Sequence, residues 1–260
     1  MAKRKIAEDD GVFPPVDRMF YEEVSTNIMS ILRQYADSFE QVGIDEAYLD
    51  VTKKVNGSFE EAGRLAQRIV DEVKFREKIT VSIGVAPNKL VAKIAADFRK
   101  PTGLTVVTPQ QTQSFLAPLP VDRLLGVGKK TSEKMETLGI RTLGDLSRFD
   151  VQKLVASFGK TLGTYFHYDA LGVDDSPVSE KGKAQPVSRI STLKEDTRDI
   201  SVVMSSVEAL CENIFTNLKQ RGLEFKTVSV IVVLKDMSLH SRSRTFESPI
   251  LHLDFFMKTV

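Results

Sequence analysis

Residues 42–52 read Val-Gly-Ile-Asp-Glu-Ala-Tyr-Leu-Asp-Val-Thr (VGIDEAYLDVT). They sit inside a stretch, 39–51, that carries β-favouring residues around a short polar centre, which predicts a hairpin. Adjacent residues on a flat strand point to opposite faces. Asp45 and Glu46 therefore serve one site only where the backbone turns, as at a hairpin tip. Two carboxylates held together there repel unless a cation neutralises them. Mg²⁺ is the natural guest, because it takes few protein carboxylates and fills its other positions with water and phosphate oxygens. An isolated Asp-Glu pair is more commonly a solvated turn, so the pair alone leaves both readings open.

Working outward, Val24, Ile28, Ile31, Leu32 and Tyr35 fall at three- and four-residue steps and predict a helix over 19–35. Ser58 with Glu61 forms a capping-box pattern and opens a helix with the stripe Ala62, Leu65, Ala66, Ile69 and Val73. Ile79, Val81, Ile83 and Val85 alternate with Thr80, Ser82 and Gly84, which predicts a half-buried strand. Asn88 caps a helix whose Val91, Ile94, Ala95 and Phe98 face inward, and Pro101 and Gly103 end it. Leu104–Val107 reads as a short strand, and Thr108, Pro109 and Gln111 as a helix start. Alternating strands and helices to about residue 107 predict an α/β layer.

From 109 to 176 short helices are punctuated by glycines, which predicts a separate helical domain. Residues 174–187 (DDSPVSEKGKAQPV) have linker composition. A strand (188–194), an amphipathic helix (201–220) and two further strands (227–234 and 239–246) predict a second α+β unit.

The chain has 260 residues, 42% of them hydrophobic, enough for one large domain or two to three small ones. Its formal net charge of +1 does not announce a nucleic-acid binder, so local patches must carry that reading. A single cysteine, Cys211, excludes an intramolecular disulfide. Its neighbours Val207, Leu210 and Ile214 make it a core residue. No apolar run is long enough to span a bilayer. The start MAKRK reads as a solvated helix end or a short localisation signal. The expected setting is an intracellular, soluble one.

Three basic clusters remain. Lys89, Lys93 and Lys100 fall on nearly one side of the 88–99 helix. That row suits a triphosphate or a phosphate backbone, or is simply the polar face of an amphipathic helix. Leu125-Gly126-Val127-Gly128-Lys129-Lys130-Thr131, a helix to Leu138, then Gly139-Ile140 read as a helix–hairpin–helix. Two glycines allow a tight turn before a helix, whose N–H groups and lysines then meet phosphate. The alternative is an ordinary helical turn with a glycine cap. Arg242 and Arg244 share one face of a strand, where they suit phosphate contacts or protect a solvated edge. The histidines lack metal-ligand spacing. Tyr165, Phe166 and Tyr168 read as core packing rather than base stacking.

In order, these signals resemble one family. VGIDEAYLDVT is similar to the palm motif of Y-family lesion-bypass DNA polymerases, with Gly43 where serine is common. TVSIGVAPNKLVAKIAADFRKPTGLTVV resembles the strand–helix segment after it. LLGVGKKTSEKMETLGIRTLGDL resembles the thumb's helix–hairpin–helix, with Leu125 where proline is usual. SRISTLKEDT and SRSRTF resemble the little-finger domain. The match looks closest to the polymerase IV branch.

The resemblance implies an α+β multidomain fold: an α/β palm sheet, a helical thumb with the helix–hairpin–helix, and an α+β little finger. It divides the chain into a remnant of the fingers and return to the palm (1–18), palm (19–107), thumb (108–175), linker (176–187) and an incomplete little finger (188–260). It implies DNA-directed DNA synthesis across damaged templates in DNA repair, by nucleotidyl transfer with two Mg²⁺ ions. Asp45 and Glu46 would be catalytic metal ligands, and Lys100 would contact the incoming triphosphate. Gly126, Gly128, Lys129, Lys130, Arg242 and Arg244 would touch DNA. The implied partners are primer–template DNA, deoxynucleoside triphosphates and, as the resemblance allows, a sliding clamp. No membrane is implied. The location would be cytoplasmic in a prokaryote and nuclear in a eukaryote.

The family begins with a strand bearing another metal-binding aspartate, followed by aromatic residues near the sugar 2′-position, and no segment of this sequence corresponds to it. Most of the fingers and the closing strand of the little finger are likewise expected to be missing. Losing one ligand of a two-metal site is expected to cost orders of magnitude in rate. A non-catalytic damaged-DNA-binding fragment and a partner-binding module are therefore the alternatives.

Overall fold

The computed structural model describes residues 15–180 and 186–252. The MAKRK reading, most of the 1–18 segment, part of the expected linker and the last residues of the chain lie outside those ranges. The chain divides into two compact units, 1–181 and 182–260.

The first unit opens with helix α1 (Arg18–Gln34), whose N-terminus is capped by Asp17 accepting from the Phe20 N–H. Strands β1 (Ser38–Gln41) and β2 (Ala47–Asp50) follow as an antiparallel hairpin, with Glu40 opposite Tyr48 and Phe39 opposite Leu49. Helix α2 (Phe59–Glu77) is capped by Ser58, which accepts from the Glu61 N–H. All five residues of its expected stripe are buried. Ala62, Leu65, Ile69 and Val73 pack with Ile31 of α1 and with partly buried Leu49, Val51, Val81, Ile83 and Val85 into one core.

Strand β3 (Ile83–Val85) pairs in parallel with β4 (Leu104–Val106) across helix α3 (Lys89–Phe98). The strand expected over 79–85 is thus limited to its last three residues. Among the described residues nothing pairs with 79–82, and Ile79 is exposed, since alternation makes a strand only where a neighbour completes the ladder. Gly84 is required here, because a Cβ would lie 2.0 Å from the Ala92 carbonyl oxygen of α3. Phe98, expected inside, is half exposed and meets Phe115 edge-on at 5.2 Å.

Five short helices follow: α4 (Thr112–Leu116), α5 (Lys129–Thr137), α6 (Leu143–Arg148), α7 (Val151–Phe158) and α8 (Lys160–Ala170). Their core is continuous with α3: Leu90, Val91, Ile94 and Ala95 are buried together with Leu116, Met135, Ile140, Leu143, Leu146, Leu154 and Phe166. The change from α/β to all-helical structure near residue 107 therefore falls within one compact unit. Residues 174–180, of linker composition, are tied to this unit. The Asp174 carboxylate accepts from the Leu90 N–H at 3.1 Å, the Pro177 carbonyl from Lys89 at 3.1 Å, and Glu180 pairs with Arg33.

The second unit has helix α9 (Ile200–Gln220) and antiparallel strands β5 (Phe225–Val233) and β6 (Leu239–Ile250). Cys211 and Val228 are buried together, with Val207, Ile214, Phe225 and Phe246 against them. Cys211 is a core residue, as its neighbours indicated. The strand expected over 188–194 does not form. Among the described residues no strand pairs with that segment, and Ile190 is fully open to solvent.

Candidate functional site

The carboxylates lie in the β1–β2 connection, residues 42–46, as the hairpin reading required. The connection is pinned from both ends. The Glu46 carbonyl accepts from the Val42 and Gly43 N–H groups at 3.0 and 3.2 Å, and the Ile44 carbonyl accepts from the hydroxyl of buried Ser25 on α1. Asp45 is exposed and Glu46 half-buried.

Hairpin alternation then sorts the side chains. Phe39 is buried and Leu49 packs on the α1–α2 core. Glu40 and Tyr48, an opposed pair, instead meet the polar side of α3. There Lys89 Nζ sits 2.9 Å from Glu40 Oε2 and 5.6 Å from the Tyr48 ring centre. One turn on, Lys93 pairs with Glu46 and stands 3.6 Å from Asp97 Oδ2. Lys100 Nζ lies 2.6 Å from Asp97 Oδ1. The lysine row read from spacing is therefore a set of ion pairs: Lys89 with Glu40, Lys93 with Glu46 and Asp97, Lys100 with Asp97.

Electrostatics follow from these contacts. Burial works against the Lys93 charge, but Glu46 and Asp97 outweigh it and hold the ammonium pKa above its ordinary value. Burial also works against the Asp97 charge, yet Lys100 and Lys93 pull its carboxyl below the usual range. Burial, with Glu46 and Glu40 nearby, pushes the Tyr48 phenol up, so it stays neutral.

The donor set suits a dication of one kind. Among the described residues no cluster of three or more His, Cys, Asp or Glu is placed to hold a metal. Asp45 and Glu46 supply two carboxylates on a turn. That fits Mg²⁺, which completes its shell with water and phosphate oxygens, better than a metal needing an all-protein cage.

Asp97 and Glu40 were not among the expected site residues. The signal for Asp97 was present, since it lies four residues after Lys93 on the helix face and three before Lys100 in the turn that follows. No local spacing announces Glu40.

The hairpin before α5 has a different character. Gly126 adopts φ +82, a left-handed conformation that favours glycine, and Gly128 is the N-cap with no side chain to serve the first N–H groups of α5. A Cβ on either glycine would meet nothing within 4 Å, so the turn is an open surface. Buried Leu124, Val127, Met135 and Ile140 anchor it from beneath. A 3-10 turn, Val121–Arg123, leads into the hairpin. Lys129 is 90% exposed and only 3.9 Å from Glu133, and Lys130 is exposed as well.

On β6, Arg242 and Arg244 share one face, opposite Val230 and Val228. That face also carries Phe246, 5.3 Å beneath the Arg244 guanidinium, and buried Val228. The other face bears a hydroxyl ladder, Thr227 with Thr245 at 3.0 Å and Ser229 with Ser243 at 2.7 Å.

At the end of the helical region lies an acid that sequence reading missed. Asp169 is buried, and this pushes its pKa up to about 6 against the hydrogen bond from Tyr165, with Asp174 adding to the rise. Burial and Asp169 push Tyr165 up to about 12. Tyr165 and Tyr168 are substantially exposed while Phe166 is the core residue of the three.

Three family models match the chain in succession: the impB/mucB/samB family over residues 1–97, the thumb domain of DNA polymerase-iota over 122–174, and the impB/mucB/samB C-terminal domain over 184–260. DNA polymerase IV of Methanosarcina acetivorans is 40% identical over 255 residues, 96% of this chain and 70% of that protein. DNA polymerase IV of Nitrosopumilus maritimus is 38% identical over 260 residues, 100% of this chain and 71% of that protein. Among solved structures, the Y-family DNA polymerase chimera Dbh-Dpo4(243-245)-Dbh matches with a TM-score of 0.85 and 34% identity, covering 96% of this chain and 71% of its own. An insertion ternary complex of Dbh DNA polymerase matches with a TM-score of 0.69 and 34% identity, covering 95% and 71%.

The impB/mucB/samB, thumb and C-terminal segments in this order define a class, the Y-family DNA polymerase fold. Within that class the chain belongs to the DNA polymerase IV (DinB) family. Among the described residues no helix is long and apolar enough to cross a membrane.

Proposed function

We propose that this chain carries the template-directed nucleotidyl transfer of a lesion-bypass DNA polymerase, with primer–template DNA and deoxynucleoside triphosphates as substrates. The observation that carries the reading is the pinned turn that holds Asp45 and Glu46 side by side in sequence, with Glu46 paired to Lys93 of α3. Nucleotidyl transfer in this family generally needs a divalent metal, and two Mg²⁺ ions suit Asp45 and Glu46. When bound, such ions lower the pKa of the primer 3′-hydroxyl and neutralise charge on the triphosphate and leaving pyrophosphate.

The chain's own residues do the rest. Asp45 and Glu46 would hold the ions, on a turn that hydrogen bonds from Val42, Gly43 and Ser25 pin in place. Lys100, 58% exposed, keeps its ammonium available to a phosphate while Asp97 orients it. The Gly126–Lys130 turn offers backbone N–H groups and two lysines to the phosphates of the DNA duplex. Arg242 and Arg244 add guanidiniums for template phosphates. Base pairing, not the protein, selects the nucleotide, which suits synthesis past damaged bases.

Primer extension with Mg²⁺ and all four deoxynucleoside triphosphates, beside Asp45→Asn, tests this. Extension that disappears in the variant supports the reading. Salt-sensitive DNA binding without any extension by the unaltered chain would replace it with a DNA-gripping protein that does no chemistry.

A further inference from the structure

We propose that Lys93 is a tethered counter-cation for Glu46, which yields that carboxylate to an arriving dication by shifting its ammonium onto Asp97. The inference rests on the reading of Asp45 and Glu46 as metal ligands and goes beyond it, giving roles to two residues that touch neither substrate nor metal in that reading.

The geometry supplies both seats. Lys93 pairs with Glu46 on the hairpin, and Asp97 Oδ2 is only 3.6 Å from the same Nζ. The second seat is fixed, because Asp97 sits one helical turn along α3 and Lys100 holds its other oxygen at 2.6 Å. The Lys93 side chain is 19% exposed, too enclosed to give up a carboxylate partner for bulk water without cost. A dication on Glu46 cancels the attraction that keeps Lys93 there and repels its ammonium. Asp97 then retains it. Lys93 thus neutralises Glu46 when no dication is present and competes with one that binds. Asp97 lowers the cost of displacing it. The two residues therefore act on metal affinity with opposite signs, which no general packing role would produce.

The test is a Mn²⁺ titration of the full chain without DNA or nucleotide, following the paramagnetic resonance signal of free Mn²⁺. Glu46→Gln should lose the bound Mn²⁺. Lys93→Met should bind it roughly threefold or more tightly, and Asp97→Asn about as much more weakly, the scale set by one partly screened ion pair. The double variant should match Lys93→Met, because Asp97 acts only through Lys93. Circular dichroism melts check each fold, and Lys93→Gln should repeat the sign if Lys93→Met does not fold. Binding that disappears with Glu46→Gln but fails to tighten with either Lys93 variant overturns the inference and leaves the metal-ligand reading standing. Equal weakening by Asp97→Asn with and without Lys93 also overturns it, as Asp97 would then act by its own field. Binding indifferent to Glu46→Gln overturns the metal-ligand reading itself.

Discussion

Helices α3 and α5 both begin with a lysine, Lys89 and Lys129, and the two helix ends do opposite things. At α3 the Asn88 side chain accepts from the Val91 N–H at 3.0 Å and Asp174 accepts from the Leu90 N–H, so the positive end of the helix is neutralised from within the protein. Lys89 is itself enclosed, 17% exposed, with Glu40 and the Pro177 carbonyl as partners. At α5 a glycine takes the cap position, and Lys129 projects into solvent. One helix end is closed by side chains of the protein; the other carries no side-chain cap. Lysine at a helix start does not distinguish them. The cap residue does, because only a cap without a side chain leaves the first N–H groups for a ligand.

If the proposed roles hold, chemistry belongs near α3 and grip near α5, and the largest effect tests that separation. Asp45→Asn or Glu46→Gln should slow primer extension by about a hundredfold or more, as expected for a lost ligand at a two-metal site. DNA affinity should remain within about twofold of the unaltered chain, since phosphate contacts supply it. A parallel fall in DNA binding, read by fluorescence anisotropy, would break the separation.

Asp169 gives the next effect. Its pKa, raised to about 6 by burial, means the folded protein binds a proton there that the unfolded chain has released. Stability should therefore fall as pH rises from about 4 to about 6 and level off above, a loss of about 2–3 kcal/mol. Asp169→Asn should flatten that interval and stabilise the chain at neutral pH. Urea unfolding at several pH values reads both, and an unchanged slope in the variant would assign the pH dependence elsewhere.

Much of this was legible in the sequence, with limits that have physical causes. The Ser58 cap and the stripe to Val73 were readable because a helix satisfies its own backbone. The hairpin at Asp45 was readable because a polar centre between β-favouring runs has few alternatives. The strand at 188–194 was not, since alternation cannot say whether a partner ladder exists. Lys89, Lys93 and Lys100 were seen as a row, but spacing could not show that Glu40 and Glu46 arrive from a hairpin more than forty residues earlier in the chain. The cysteine came out correctly because its neighbours recur at helical steps. Phe98 did not, because the last turn of a helix projects past the layer that covers it.

Lys89→Met sharpens the contrast between the two helix ends. It takes the ammonium away from Glu40, whose side chain is 13% exposed and which also accepts from the Ser179 N–H at 3.3 Å. The expected cost is about 1–3 kcal/mol in urea unfolding, as for breaking a part-buried pair. The salt dependence of DNA binding should not change.

Lys129→Ala and Lys130→Ala should do the reverse, with the smallest effect. The Lys129–Glu133 contact is 3.9 Å long between side chains 90% and 60% exposed, so losing it should hardly affect stability. What should change is the dependence of log affinity on log salt. Each lysine that neutralises one phosphate contributes about 0.9 to that slope, so the double variant should lower it by up to about 2. Affinity at low salt falls accordingly, while affinity at high salt converges on that of the unaltered chain, because the released counterions are what the variant no longer gains. Gly128→Ser makes the same point without touching charge. Its hydroxyl would cap α5 as Asn88 caps α3, taking an N–H that the open turn otherwise offers to phosphate. Binding should weaken with the salt slope unchanged, and tighter binding would mean that the open cap is not what meets the DNA.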